Sequence, residues 1–316
     1  MKIGTTFSYR EANFLGLNWQ ETLENTLKLN LDPIRIGSYW NDIEIKPNKY
    51  DFSILDEIIA KIKKCGTEIV LEIGLKSPRW PEFYLPKWIE EKIKIRNREI
   101  IDDFCLTQPL FKFIEKTVKR YEKIKNIRWI NLENEPLNFS GPKFIRISPK
   151  ILKKEVLLLK DISRKPFILN SWLEISPQRR IKRNLLLREN SLNNCLKLGH
   201  ILGLSVYPKY PGQPEIRKKD WQVLKKILKE TQKAKKEAWV TELQAEPWEK
   251  EGSKNFKDPF ANKSCNPDIL KNSFGILKEI GFKTILLWGS EFWYRCYKEK
   301  NDYWYKVVKE IIKNAD

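Results

Sequence analysis

Histidine is almost missing from this sequence. Among 316 residues only His200 carries an imidazole, so a histidine-rich metal site is excluded. Cysteine is sparse as well. Cys65, Cys105, Cys195, Cys265 and Cys296 are odd in number and have no C-x-x-C spacing, so neither a disulfide scaffold nor a structural zinc site finds its pattern. No stretch approaches 18 uninterrupted apolar residues, which argues against a transmembrane helix. The opening MKIGTTFSYR reads as a strand with no apolar h-region, so no secretory signal peptide is expected and the chain reads as cytoplasmic. No G-x-G-x-x-G follows the first strand, and no zinc-finger, basic-zipper or RNA-recognition signature is present. The residues suggest no cofactor and no metal.

What is there suits a large folded core. Apolar residues make up 41% of the chain and charged residues 32%, with 17 prolines, which excludes disordered and collagen-like classes. The net charge of +19 invites a polyanion reading, either nucleic acid or acidic polysaccharide. The excess is spread along amphipathic segments, however. Between Lys218 and Lys236, Trp221, Leu224, Ile227 and Leu228 mark one face and lysines fill the other. Scattered charge of this kind is the signature of a solvated surface, so no specific nucleic-acid partner is expected.

Short β-branched runs alternate with helical patterns from end to end, as in βαβ units of a parallel sheet. Strands are expected at Lys2–Ser8, Pro33–Gly37, Thr67–Gly74, Ile127–Glu133, Pro166–Asn170, Ile201–Val206, Ala238–Glu242 and Thr284–Trp288. The helices between them carry recognisable ends. Ser53 and Asp56 suggest a capping box closed by Gly66, Pro109 suggests the first turn of a helix running to Lys123, and Ser148-Pro149 and Asn266-Pro267 suggest capped starts. Helices are also expected at Trp19–Leu29, Arg188–Leu198 and Tyr303–Ile312. Eight strands and eight helices in strict order, with no Gly/Ser linker, predict a single (β/α)8 TIM barrel over residues 1–316.

In such a barrel the chemistry sits at the carboxyl ends of the strands. Those positions hold Arg35 and Trp40 after strand two, Lys76 and Trp80 after strand three, and Asn134-Glu135-Pro136 after strand four. They continue with Asn170 and Trp172, then Tyr207, Glu242 and Trp288. Two carboxylates on one rim serve glycoside hydrolysis, one protonating the leaving oxygen while the other attacks the anomeric carbon or activates water. Strands four and seven lie on opposite sides of an eight-stranded ring, so Glu135 and Glu242 are expected to project across its mouth. A separation of about 5–5.5 Å implies retention of configuration and about 6.5–9.5 Å inversion. Tryptophans suit the same substrate, because the C–H faces of a pyranose pack on an aromatic plane while its hydroxyls stay wet. Trp40, Trp80 and Trp88 serve equally well to pack loops, His200 reads as structural, and the cysteines as buried small hydrophobes.

Asn134-Glu135-Pro136, Thr241-Glu242 and Trp288, at the ends of strands four, seven and eight, resemble the clan A glycoside hydrolases, which are retaining (β/α)8 enzymes acting on β-linked sugars. The stretch from Arg35 to Trp40, with Ile43-Glu44, Tyr50-Asp51-Phe52 and Leu55-Asp56, is similar to β-galactosidase-like and β-xylosidase-like members. The resemblance implies Glu135 as general acid/base and Glu242 as nucleophile. It implies Asn134 on the sugar 2-hydroxyl, Tyr207 and Arg35 holding Glu242 ionised, and Trp288 as the sugar platform. Two departures stand out: Ser205 occupies the place where many members have histidine, and Lys46-Pro47 stands where Glu-Pro is usual. Glu133 has the strand parity of a buried hydrogen-bonding partner deeper in the barrel, and Glu246 lies in the following loop. The expected function is a cofactor-independent retaining β-glycosidase binding a carbohydrate substrate. A glycan-binding barrel without turnover and a polyanion-binding protein are the alternatives.

Overall fold

The computed structural model describes residues 1–173, 191–209, 218–249 and 254–315. Eight strands, β1 (Lys2–Phe7), β2 (Ile34–Gly37), β3 (Ile69–Ile73), β4 (Ile127–Leu132), β5 (Phe167–Trp172), β6 (Ile201–Val206), β7 (Glu237–Gln244) and β8 (Thr284–Trp288), close into a barrel. Their ring order, β1-β8-β7-β6-β5-β4-β3-β2, follows the chain. The cause is visible in the strands themselves. Every residue of β2, β3, β6 and β8 is buried, as parallel strands covered on both faces require. The strands read from apolar runs therefore appear where expected, β6 and β8 to the residue.

Contacts within the chain gather into two compact units. The first comprises Met1–Arg35, Leu173–Asn190 and Gly203–Asp316. Here β1 pairs with β8 in unbroken parallel register from Lys2↔Thr284 to Thr6↔Trp288. β7 pairs with β8 with a register shift between Val240 and Leu243, at the level of Glu242. The helix Pro267–Ile280 begins on Asn266, whose side chain accepts from the Ile269 amide, and ends at Gly281 with φ 106°, a left-handed position natural to glycine.

The second unit comprises Ile36–Trp172 and Ser191–Leu202. β3 pairs with β4 and β4 with β5, all parallel. The helix Ser53–Lys64 turns Leu55, Ile58, Ile59 and Ile62 inward, each contributing about 1.5–3 kcal/mol of burial. Ser148 caps Pro149–Ile162 as the Ser-Pro pair suggests. His200 accepts from the Phe167 amide at 3.3 Å and packs on that ring, a structural histidine.

Four local expectations are corrected. The capping box at Ser53 does not form: Phe52 occupies the cap and the Asp51 carboxylate receives the Ser53 amide instead. The helix expected from Pro109 starts a turn and a half earlier, at Phe104, with Asp103 as cap and Pro109 inside it. Leu106 and Leu110 are both buried, so the apolar stripe already runs through the proline, and its packing outweighs one lost hydrogen bond. A helix at Ser290–Lys298 went unread because Ser290, Glu291, Phe292, Trp293 and Tyr294 are buried in succession, erasing the amphipathic period. Finally, Cys65 and Cys105 are exposed, while Cys195, Cys265 and Cys296 are buried; all five are free. Residues 188–190 of the expected Arg188–Leu198 helix lie outside the described residues, and Ser191–Leu198 is helical. Among the described residues no helix is long and apolar enough to cross a membrane.

Candidate active site

In the first unit the site centres on Glu242, near the carboxyl end of β7 and 3% exposed. One carboxylate oxygen receives Arg35 Nη2 at 2.6 Å and the other the Tyr207 hydroxyl at 2.7 Å. Arg35 is fully buried, and its Nε donates to Thr6 Oγ1 at 3.0 Å. Its guanidinium carbon stands 5.7 Å from the centre of the Trp288 ring. β1, β2, β7 and β8 and the residue following β6 thus each supply one side chain to a single cluster. Two donors on two different oxygens hold the Glu242 carboxylate in one orientation. Trp288, at 6% exposure, is largely covered.

Two further residues of this cluster were missed from the sequence. Trp248 stacks on Tyr207 with ring centres 4.9 Å apart and planes 20° apart, and 38% of its surface is exposed. It stands in the loop beyond the strand end, so a search confined to strand ends passes over it; counting indoles along the whole loop finds it. Gln244 is 1% exposed, and its Oε1 accepts the Lys209 amide at 3.3 Å. Among the described residues its Nε2 has no hydrogen-bond partner. No spacing pattern signals that residue.

In the second unit the end of β4 makes a tight left-handed turn, with Glu133 at φ 60° and Glu135 at φ 48°. Positive φ costs a non-glycine residue about 1–3 kcal/mol, so the turn has to be held. Asn170 of β5 accepts the Glu135 amide on Oδ1 at 3.0 Å and donates Nδ2 to Asn134 Oδ1 at 2.8 Å. Lys76, fully buried, donates its ammonium to the Glu135 carbonyl at 3.0 Å, and its own carbonyl accepts the Asn134 amide at 2.9 Å. Glu135 is 5% exposed and Asn134 4%.

Glu133 is buried below this turn. Its two oxygens accept the Leu75 and Lys76 amides at 2.6 and 2.5 Å. Gly74 makes room for them: a Cβ there would stand 2.2 Å from Glu133 Oε1, and its φ is +126°. Gly74→Ala is therefore expected to cost about 3 kcal/mol or more, strain and clash together, read as a lowered urea midpoint.

The remaining expected sugar contacts divide. Trp80 is 69% exposed and Trp172 half-buried, so both have surface to offer. Trp40 does not. It is 0% exposed, stacks on Phe113 at 5.5 Å and donates its indole N–H to Glu44 at 2.7 Å. The strand-end position that suggested a sugar contact turns its ring into the core, against the helix Phe104–Tyr121. Trp88 is half-buried and donates to the Glu44 carbonyl, beside Trp40. Among the described residues no cluster of three or more histidine, cysteine or acidic side chains is placed to hold a metal ion.

Residues 11–141 match the family model described as Beta-galactosidase, of glycoside hydrolase family 42. The barrel superposes on a β-galactosidase from the psychrophilic Marinomonas ef1 with TM-score 0.60 and 11% identity, covering 91% of this chain and 54% of that one. The fold is the (β/α)8 barrel that this β-galactosidase also has. A GH5_18 protein from Streptomyces cattleya, solved in complex with GlcNAc, aligns at TM-score 0.66 and 10% identity over 99% of this chain and 80% of its own. The polyextremophilic β-galactosidase of the haloarchaeon Halorubrum lacusprofundi aligns at TM-score 0.65 and 11% identity over all of this chain and 58% of its own. This chain thus spans little more than half the length of the two β-galactosidases. No curated protein sequence matches it.

Proposed function

We propose that this protein is a glycoside hydrolase, a retaining β-glycosidase with Glu242 as nucleophile and Glu135 as general acid/base. The observation that carries the reading is the Glu242 carboxylate gripped by Arg35 and Tyr207 near the end of β7, in a chain whose β4 is followed by Asn134-Glu135-Pro136. Glu242 attacks the anomeric carbon while Glu135 protonates the departing glycosidic oxygen, giving a covalent glycosyl-enzyme. Glu135, now ionised, takes a proton from water, whose oxygen displaces Glu242 and releases the sugar with its original configuration. The route requires the two carboxyl groups to face one ring from about 5–5.5 Å apart. Asn134 donates to the sugar 2-hydroxyl. Trp288, Trp80 and Trp172 are the aromatic surfaces for the sugar, and Trp248 joins them. A β-galactoside is the first substrate to test, given the family matched over residues 11–141. Five free thiols suit a reducing compartment, in line with a cytoplasmic enzyme.

The test is a panel of aryl β-glycosides, galactoside first, with the product anomer followed by proton NMR from the first minutes. The β-anomer is expected to appear first and mutarotate later. Initial release of the α-anomer rules out the double displacement, and binding without turnover across the panel rules out the enzyme.

A further inference from the structure

The second unit contains a buried acidic pair that the proposed reaction does not use. Glu155 projects from the inner face of Pro149–Ile162, between Leu152 and Val156, and is fully buried. Among the described residues neither of its carboxyl oxygens meets an amide, hydroxyl or cation within hydrogen-bond reach. What it does contact is the carboxyl of Glu133, itself fully buried. Two carboxyl groups form a hydrogen bond only when one of them carries a proton. Two buried carboxylates in contact would add mutual repulsion to the cost of removing both charges from water.

The pair is wired to the turn that carries Glu135. The Glu133 carboxylate fixes the Leu75 and Lys76 amides, and the Lys76 side chain then runs from that anchored backbone to the Glu135 carbonyl at 3.0 Å and the Asn138 carbonyl at 3.4 Å. Lys76 also pairs with Glu82 at 3.3 Å. The charged groups acting on Glu133 are Lys76, from the end of β3, and Glu155, from the helix; Glu155 feels Glu133.

We propose that Glu133 and Glu155 form an acid–carboxylate pair around one shared proton, and that this pair positions Glu135 through Lys76. Glu155 supplies the O–H and Glu133 the single negative charge, which the Leu75 and Lys76 backbone amides and the field of the Lys76 ammonium favour. The role assigned to Glu135 rests on the proposed function; the shared proton does not. Burial is the largest cause raising both groups, taking Glu133 from 4.5 to about 7 and Glu155 well above its usual range. The folded chain therefore keeps protons that the unfolded chain releases near pH 4.5. Stability falls as pH rises from about 4.5 through 7, because there the native state binds more protons than the unfolded one.

Glu155→Gln keeps a donor for Glu133 without needing the proton, and Glu155→Leu removes the donor. The infrared spectrum of the wild type at pH 8 is expected to show a protonated-carboxyl C=O band that Glu155→Gln lacks. The melting temperature of Glu155→Gln should rise relative to wild type between pH 5 and pH 8. On an aryl glycoside that the wild type hydrolyses, Glu155→Gln should hold kcat within about threefold. Glu155→Leu should lose about 10- to 100-fold in kcat with KM little changed, the scale of a misplaced reacting group.

A wild type without the carboxyl band, or a Glu155→Gln variant as impaired as Glu155→Leu, overturns the shared proton. A folded Glu155→Leu with unchanged kcat overturns the positioning role. If Glu155→Leu does not fold, the infrared band and the Glu155→Gln melting profile still decide the pair. If no glycoside is hydrolysed, the glycosidase reading fails separately. The positioning role is then read from the carboxyl carbon-13 titration of Glu135, whose midpoint should move in Glu155→Leu and stay in Glu155→Gln; an unmoved midpoint in both overturns it.

Discussion

Glu242→Ala is expected to lower kcat by about 10⁴-fold or more on every glycoside the enzyme hydrolyses, the scale on which loss of a nucleophile acts. The substitution also strips the fully buried Arg35 of its carboxylate partner, and breaking a buried ion pair costs about 3–5 kcal/mol. Folding therefore has to be checked by near-UV circular dichroism before the rate is read. Chemistry separates the two effects. Azide added to a folded Glu242→Ala enzyme can enter the space of the lost carboxylate and attack the anomeric carbon once, while Glu135 still protonates the leaving group. The product is an α-glycosyl azide, of inverted configuration. A folded variant with wild-type turnover removes Glu242 from the mechanism.

Glu135→Ala has the opposite signature. On alkyl glycosides, whose leaving oxygen needs a proton, kcat/KM should fall by about 10²–10⁴-fold. With dinitrophenyl glycosides the first step needs little acid help, so the glycosyl-enzyme accumulates and a burst of phenolate precedes slow turnover. Azide needs no base to attack that intermediate, and it should restore turnover with a β-glycosyl azide as product. The alkaline limb of the pH profile should vanish with the acid. Stability should change little, because Asn170 and Lys76 hold the Glu135 turn by its backbone amide and carbonyl rather than by its carboxyl. An α-azide from this variant would exchange the two roles; an unaltered alkaline limb would show that another group donates the proton.

The two signatures bear on how far the site is legible in one dimension. Glu242, Arg35 and Tyr207 come from β7, β2 and the residue after β6, up to 207 residues apart in the chain. Yet Glu242 and Tyr207 stand near strand ends that periodicity locates, and Arg35 lies within the short β2. Once the strands are found, a barrel gives their ends a common address, so these residues can be named before any coordinate is known. Trp40 shows where that rule stops. It too follows a strand, but an aromatic ring turns toward whichever neighbour covers it best, and for Trp40 that neighbour is Phe113. Trp248 fails the rule in the other direction, reaching Tyr207 from within a loop that has no period. Pro109 was misplaced because a local signal, proline at a helix start, was weaker than the apolar stripe running through it.

From the sequence alone came the eight-stranded order, the strand ends, the missing cofactor motifs and the two glutamates to watch. All of these depend on local periodicity or on composition, which a chain carries in linear form. Tertiary structure decided the rest: that Arg35 and Tyr207 take opposite oxygens of Glu242, that Trp40 is spent on packing, and that Glu155 meets Glu133 beneath the Glu135 turn. Those outcomes turn on which side chains share a space a few ångströms across and on whether water reaches it. Distances between residues far apart in the chain, and the desolvation that follows from them, exist only once the chain has closed on itself.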